Sequence, residues 1–260
     1  VSAFTAPITR REGKSFGRAT HWYVDANGLK IPGVTSILSD GLPKPALVGW
    51  GIKSVAEYAI DHWDDLAEEK PSDRLKTLKG SPYAVRDEAA SRGTAVHHIA
   101  ERLAAGEEVE YEDELAGHVE SAVRFLDEWQ PRVILAEKSC YNLEYGWAGT
   151  FDLIAEFPDG RTALLDYKTS KGVYPDTGLQ LAAYRYSTHY TDDAGEPQPM
   201  PAVDWCGVVH VRADGYDVYE LRADESVLLR MRYVAAVARL KGEMPAWKSD
   251  ALPAPIEAVA

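Results

Sequence analysis

Cysteine is scarce in this chain of 260 residues: Cys140 and Cys206 are the only two, and they lie far apart. That excludes a disulfide framework and a cysteine-rich zinc or iron–sulfur site, and leaves both thiols as expected buried, inert side chains. Long apolar runs are missing too. No stretch approaches the roughly 18 residues that span a bilayer, and the start of the sequence has no signal-peptide apolar region. The expectation is a soluble, cytoplasmic protein with no membrane partner. Basic residues are outnumbered 28 to 41, for a formal net charge of −13, which excludes coating of nucleic acid by bulk attraction. It leaves room for contact along a local basic path. Three stretches offer one: Arg10, Arg11, Lys14 and Arg18; Arg74, Lys76 and Lys79; Lys168 and Lys171. Each reads equally well as a solvated face, the middle group above all. Internal repeats, an HExxH pair and a GxxxxGK[ST] loop are all absent, which removes repeat arrays, zinc proteases and nucleotide-driven motors from consideration.

What is present is an ordinary globular composition, 45% hydrophobic and 27% charged. His21 to Ile31 reads as a hairpin turning at Asp25-Ala26-Asn27-Gly28. Val34 to Leu38 starts a short helix broken at Gly41 and Pro43, and a longer one, with Trp50 among its apolar residues, follows from Pro45 to His62. Residues 64–83, charged and punctuated by Pro71, Gly80 and Pro82, read as an exposed connection. Helical periodicity returns over 84–105 and again over 113–129, where Leu115, Val119, Ala122, Leu126 and Trp129 repeat at helical steps. From Val133 the period becomes that of strands, in three runs ending near Thr169. A helix over 176–190, strands over 203–212 and 216–221, and a helix over 224–242 with Val227, Met231, Val234 and Ala238 on one face complete the pattern. The order implies an α/β fold with a mixed central sheet flanked by helices. Residues 1–83 form a hairpin and mainly helical region, 84–245 the core, and 246–260 an Ala/Pro-rich tail expected to be flexible.

The chemistry concentrates in one strand pair. In Gly149-Thr150-Phe151-Asp152-Leu153-Ile154-Ala155-Glu156-Phe157, alternation puts Phe151, Leu153, Ala155 and Phe157 on one face and Asp152 on the other. Asp166 and Lys168 share a face of the next strand. If Pro158-Asp159-Gly160 is a three-residue hairpin loop, Phe157 faces Arg161, and counting outward sets Asp152 opposite Asp166 with Cβ atoms about 4.5–5.5 Å apart. Two carboxylates that close repel unless neutralised, and hard oxygen ligands suit Mg²⁺ or Mn²⁺. Lys168 is then placed to orient or help deprotonate a water, or to stabilise charge developing on phosphorus. The plainer alternative is an exposed acidic strand pair with Lys168 in a surface ion pair.

Two helical groups complete the pattern. In Arg92-Gly93-Thr94-Ala95-Val96-His97-His98-Ile99-Ala100-Glu101, His97 and Glu101 lie one turn apart on one face. The imidazole is a candidate metal ligand and Glu101 its supporting neighbour. His98 points away, as a structural residue would. In Gln180-Leu181-Ala182-Ala183-Tyr184, Gln180 and Tyr184 share a face, as donors to a phosphate or a bound water or as plain packing.

Together these groups resemble the RecB-like branch of the PD-(D/E)XK nucleases. That branch carries Gly-x-x-x-His on a helix (Gly93 to His97), Asp after a Gly-Thr or similar pair (Asp152 after Gly149-Thr150), Asp/Glu-x-Lys one strand later (Asp166 to Lys168) and Gln-x-x-x-Tyr on the next helix (Gln180 to Tyr184). The matches span roughly 84–221. Val34-Thr35-Ser36-Ile37-Leu38, with Lys44, Leu47 and Trp50, is more loosely similar to the N-terminal region of phage and CRISPR-adaptation exonucleases. The resemblance implies a restriction-endonuclease-like core and a Mg²⁺- or Mn²⁺-dependent exonuclease acting on DNA ends or single strands, in phage or bacterial recombination, repair or DNA processing. By the same resemblance His97, Asp152, Asp166 and the backbone carbonyl of Tyr167 bind the metal, Lys168 is catalytic, and Gln180 and Tyr184 support the site or contact DNA. Many relatives hold a [4Fe–4S] cluster on four cysteines, which two cysteines cannot do. Unwinding would need a helicase or recombination partner or an already open end. Two rivals stand: a catalytically inactive DNA-binding or scaffold module of the same fold, and a glycosidase using Asp152 and Asp166. The latter leaves His97, Lys168 and Gln180 without a role.

Overall fold

A computed structural model describes residues 4–15 and 18–250 of the chain. It opens with a three-stranded antiparallel sheet, β1 (Thr9–Ser15), β2 (Arg18–Val24) and β3 (Lys30–Ile31). The β2–β3 turn is the expected one. Asp25 organises it by accepting from the Asn27 and Leu29 amides at 2.9 and 2.7 Å and from the Thr5 amide at 3.0 Å. Strand β1, Thr-Arg-Arg-Glu-Gly-Lys-Ser, has no apolar alternation to announce it and was not anticipated.

Helices follow: α1 (Val34–Gly41), α2 (Pro45–Asp61), α3 (Trp63–Glu68) and the 34-residue α4 (Pro71–Ala104). The connection expected over 64–83 is exposed but helical: α3 and the first third of α4 occupy it, with only Leu66 and Ser81 buried. Pro82 cannot donate to the Leu78 carbonyl, but the Ser81 hydroxyl does so at 3.0 Å, and α4 continues unbroken through residue 84.

The core then runs through a 3₁₀ turn (Asp113–Leu115), α5 (Ala116–Trp129), β4 (Arg132–Asn142), β5 (Trp147–Glu156), β6 (Thr162–Lys168), α6 (Thr177–Arg185), β7 (His189–Thr191), β8 (Pro197–Pro199), β9 (Trp205–Arg212), β10 (Gly215–Glu220) and α7 (Glu225–Glu243). Helix α6 ends earlier than the expected residue 190, because the Thr188 amide bonds to the Tyr141 carbonyl (2.9 Å) and delivers β7 to the edge of β4. The seven strands make one mixed sheet in the order β10-β9-β6-β5-β4-β7-β8, with β6–β9 its parallel pair. This is the mixed α/β architecture the sequence pattern implies. A 3₁₀ turn, Met244–Trp247, spans the start of the tail expected over 246–260, and 251–260 lie outside the described residues. No helix among the described residues is long and apolar enough to cross a membrane.

Each face of the sheet is covered. On one, Trp147, Phe151, Ile154 and Leu164 pack with α1, α6 and α7, through Ile37, Leu181 and Met231. On the other, Leu153, Ala155, Leu165 and Tyr167 pack with α4 and α5, through Val96, Val119 and Phe125. Phe151 and Leu153 were expected on one face, and they are not. The alternation slips at Asp152, where β4 runs alongside with Lys138↔Phe151 and Ala136↔Leu153 paired. Glu137, between those pairs, has φ of 47° and interrupts the extended path of β4. Cys140 and Cys206 are both buried free thiols, as expected.

Candidate active site

The hairpin joining β5 and β6 sets the geometry. Phe157 and Arg161 close it (Phe157 amide to Arg161 carbonyl, 2.9 Å), with Gly160 at φ of 83°. The ladder runs Glu156↔Thr162 to Leu153↔Leu165, the register that the loop count predicts, and Asp152 and Asp166 follow at its end, lining one cavity. The Tyr167 amide donates to Asp152 Oδ2 at 2.7 Å. Asp166 is buried, and its Oδ1 accepts from Gln180 Nε2 at 3.1 Å. Its Oδ2 lies in ion-pair contact with the Lys168 ammonium and has no directed hydrogen bond.

Helix α4 brings His97 to this pair, its Nδ1 3.3 Å from Asp152 Oδ2. Gly93, one turn earlier, permits the approach: a Cβ there would stand 3.1 Å from Thr169 Oγ1 at the end of β6. Glu101 lines the same cavity and pairs with His98 (Nδ1 to Oε2, 3.5 Å). His98, expected to be structural, is instead exposed at the cavity rim. From α6, Gln180 Nε2 also donates to the Tyr184 hydroxyl at 3.3 Å. The Gly149-Thr150 pair has a physical role in this packing. A Cβ on Gly149 would fall 2.2 Å from the Tyr184 ring, and Thr150 Oγ1 bonds the Tyr23 hydroxyl at 2.9 Å.

His97, Glu101, Asp152, Asp166, Lys168, Gln180 and Tyr184 thus meet in one open cavity of about 640 Å³. Tyr167 directs its side chain into the α5 core and its amide to Asp152. Sequence reasoning missed Glu137, Thr35 on α1, and Glu12, His21 and Tyr23 of the wall they form with Arg10, a residue the first basic stretch already offered. Glu137 was within reach of the same counting: the β4–β5 ladder, closing at Asn142↔Trp147, sets Glu137 opposite Asp152.

No family model and no curated protein matches the chain. Solved structures resemble it, among them these two. One is the crystal structure of SSO0001, at 14% identity over 84% of this chain and 76% of that one, with a TM-score of 0.31. The other is an alkaline exonuclease, LHK-Exo, from Laribacter hongkongensis, at 16% identity over 57% of this chain and 78% of that one, with a TM-score of 0.34.

The electrostatics of the cavity bear on whether a cation fits. Burial, then the neighbouring charges of Asp166 and Glu137, push the Asp152 carboxyl well above the usual carboxylate range. Burial and the Glu101 charge push Glu137 up to about 7. His97 is shifted down by burial, against the pull of Asp166, so its imidazole is neutral near neutral pH. Among the described residues no three His, Cys, Asp or Glu side chains converge into a ready-made ligand shell. The fit is that of an open carboxylate pair. Mg²⁺ keeps several waters and takes one or two carboxylates plus substrate phosphate oxygens, and Asp166 Oδ2, buried without a hydrogen-bond donor beyond its ion pair with Lys168, suits that demand.

Proposed function

We propose that the protein is a Mg²⁺- or Mn²⁺-dependent DNA nuclease of the PD-(D/E)XK superfamily, RecB-like in type and an exonuclease. The observation that carries this reading is the meeting of Asp152 and Asp166 in one cavity at the end of the β5–β6 ladder, with Lys168 on Asp166 and His97 on Asp152. Two acids this close, one buried and one partly so, cost stability unless a cation neutralises them. Their place in an open cavity beside a lysine supports a phosphodiester-hydrolysing site.

Asp152, Asp166, His97 and the Tyr167 carbonyl would hold the ion, which when bound supplies Lewis acidity toward the phosphoryl and leaving oxygens. The chain's own groups do the rest. Lys168 Nζ orients the attacking water and offsets the charge that grows on the phosphoryl oxygens. Gln180 fixes the Asp166 carboxylate and is itself fixed by Tyr184, which holds the acceptor geometry through the reaction. Glu101 steadies the rim through His98. Neutral His97 keeps a lone pair available at the pH where both acids must be ionised. The setting that suits such an enzyme is DNA recombination, repair or processing in a phage-infected or bacterial cytoplasm.

The test is degradation of end-labelled single- and double-stranded DNA with Mn²⁺, Mg²⁺ or EDTA, alongside Asp166→Ala. Cleavage that requires both the metal and Asp166 is expected. Undiminished metal-dependent cleavage by the folded variant would overturn the site. Binding without cleavage in every metal would assign a non-catalytic DNA-binding module instead.

A further inference from the structure

One wall of the cavity is not used by that chemistry. Along β1 and β2 the ladder pairs Arg10 with Tyr23 and Glu12 with His21, and these four residues line the cavity, while Arg11 and Trp22 belong to the opposite face of the hairpin. The Tyr23–Thr150 hydrogen bond ties this wall to β5 two residues before Asp152.

The charge on the cavity lining is lopsided. Glu12, Glu101, Glu137, Asp152 and Asp166 face two permanent cations, Arg10 and Lys168. Lys168 is committed to Asp166 at the floor. Arg10 is held loosely, with one terminal nitrogen 3.3 Å from Glu12 and the other 3.9 Å from Glu137. Its Nε is buried without an acceptor. An unpaired guanidinium nitrogen in an acidic cavity is costly to maintain, and a guanidinium fork matches a phosphate in a way that an ammonium does not.

We propose that Arg10 is a substrate-positioning residue: it grips a phosphate of the bound strand other than the one being cleaved, through its two terminal nitrogens. This rests on the nuclease reading. It also explains how a chain of net charge −13 admits a polyanion. The N-terminal hairpin then belongs to the substrate path.

The experiment compares neighbouring arginines on opposite faces of one strand. Binding of a fluorescent single-stranded oligonucleotide is followed by anisotropy in EDTA over a salt series, for wild type, Arg10→Gln, Arg10→Lys and Arg11→Gln. Arg10→Gln is expected to weaken binding about tenfold and to lower the salt slope by about 1, as loss of one phosphate contact does. In Mn²⁺ its KM rises by a similar factor while kcat stays within about threefold, the pattern of lost uniform binding. Arg10→Lys keeps the charge and the slope but binds about threefold more weakly than wild type, having lost the fork. Arg11→Gln stays within about twofold of wild type. If Arg10→Gln does not fold, Arg10→Lys against Arg11→Gln decides. Equal affinities for the two arginine sites would overturn the assignment while leaving the nuclease reading intact. Failure of the wild type to bind or cleave DNA would overturn both.

Discussion

Strand β6 buries five consecutive residues, Ala163 to Tyr167, whereas α2 buries none of its seventeen. The two segments are of similar apolar character, yet Leu47, Val48, Ile52 and Ile60 of α2 are each more than half exposed. The sheet earns its stability by excluding water from both faces; the helical arm is held by the continuation of α4 into the core. Hydrophobic content therefore says little about where this molecule is rigid. The proposed site lies at the edge of the buried layer: Asp166 is buried, and Asp152, His97 and Lys168 are partly exposed beside it.

The contrast can be broken by substitution on either side. Phe151→Ala, between the sheet and α6, should cost about 3–5 kcal/mol in denaturant unfolding; a loss below about 1 kcal/mol would refute the rigidity assigned to this layer. Gly149→Ala drives a methyl group into the Tyr184 ring, so about 1–3 kcal/mol and much of the cleavage rate should be lost together as Gln180 loses its partner. Asp152→Asn should act in the opposite sense on stability. The folded protein holds this carboxyl above its ordinary range, so its charged form carries a penalty that is full above the shifted value, shrinks as pH falls from there, and is gone only below the ordinary carboxylate range. A neutral side chain removes the penalty: in EDTA at neutral pH the Tm should rise while cleavage is lost, and a lowered Tm would contradict the account. Ile52→Ala, on the arm, should change stability by less than about 0.5 kcal/mol in the same denaturant assay.

Much of the site was legible because strand geometry is countable. One loop of known length, Pro158 to Gly160, located Asp152 against Asp166 without any structure, and helical spacing aligned His97 with Glu101 and Gln180 with Tyr184. What escaped was non-local or broke a local rule. Phe151 and Leu153 pack on opposite faces of the sheet, beside Glu137, which leaves the extended region on β4, and no pattern in the sequence marks that break. Pro82 looked like a helix stop because the rescue by Ser81 depends on a hydroxyl orientation that no periodicity encodes. Strand β1 is too charged to resemble a strand; it forms because β2 offers it a partner. Arg10 enters the site through that pairing, far in sequence from every group it joins.

The β5–β6 loop is exposed at its tip and takes no part in any chemistry. Its length nevertheless acts as a frame for the site. One inserted residue would slide the two acids out of apposition or turn one of them to the other face, with every side chain still present and the sheet still able to form. Homologous chains carrying the same chemistry should vary freely in what occupies positions 158 and 159 and hardly at all in how many residues the loop contains.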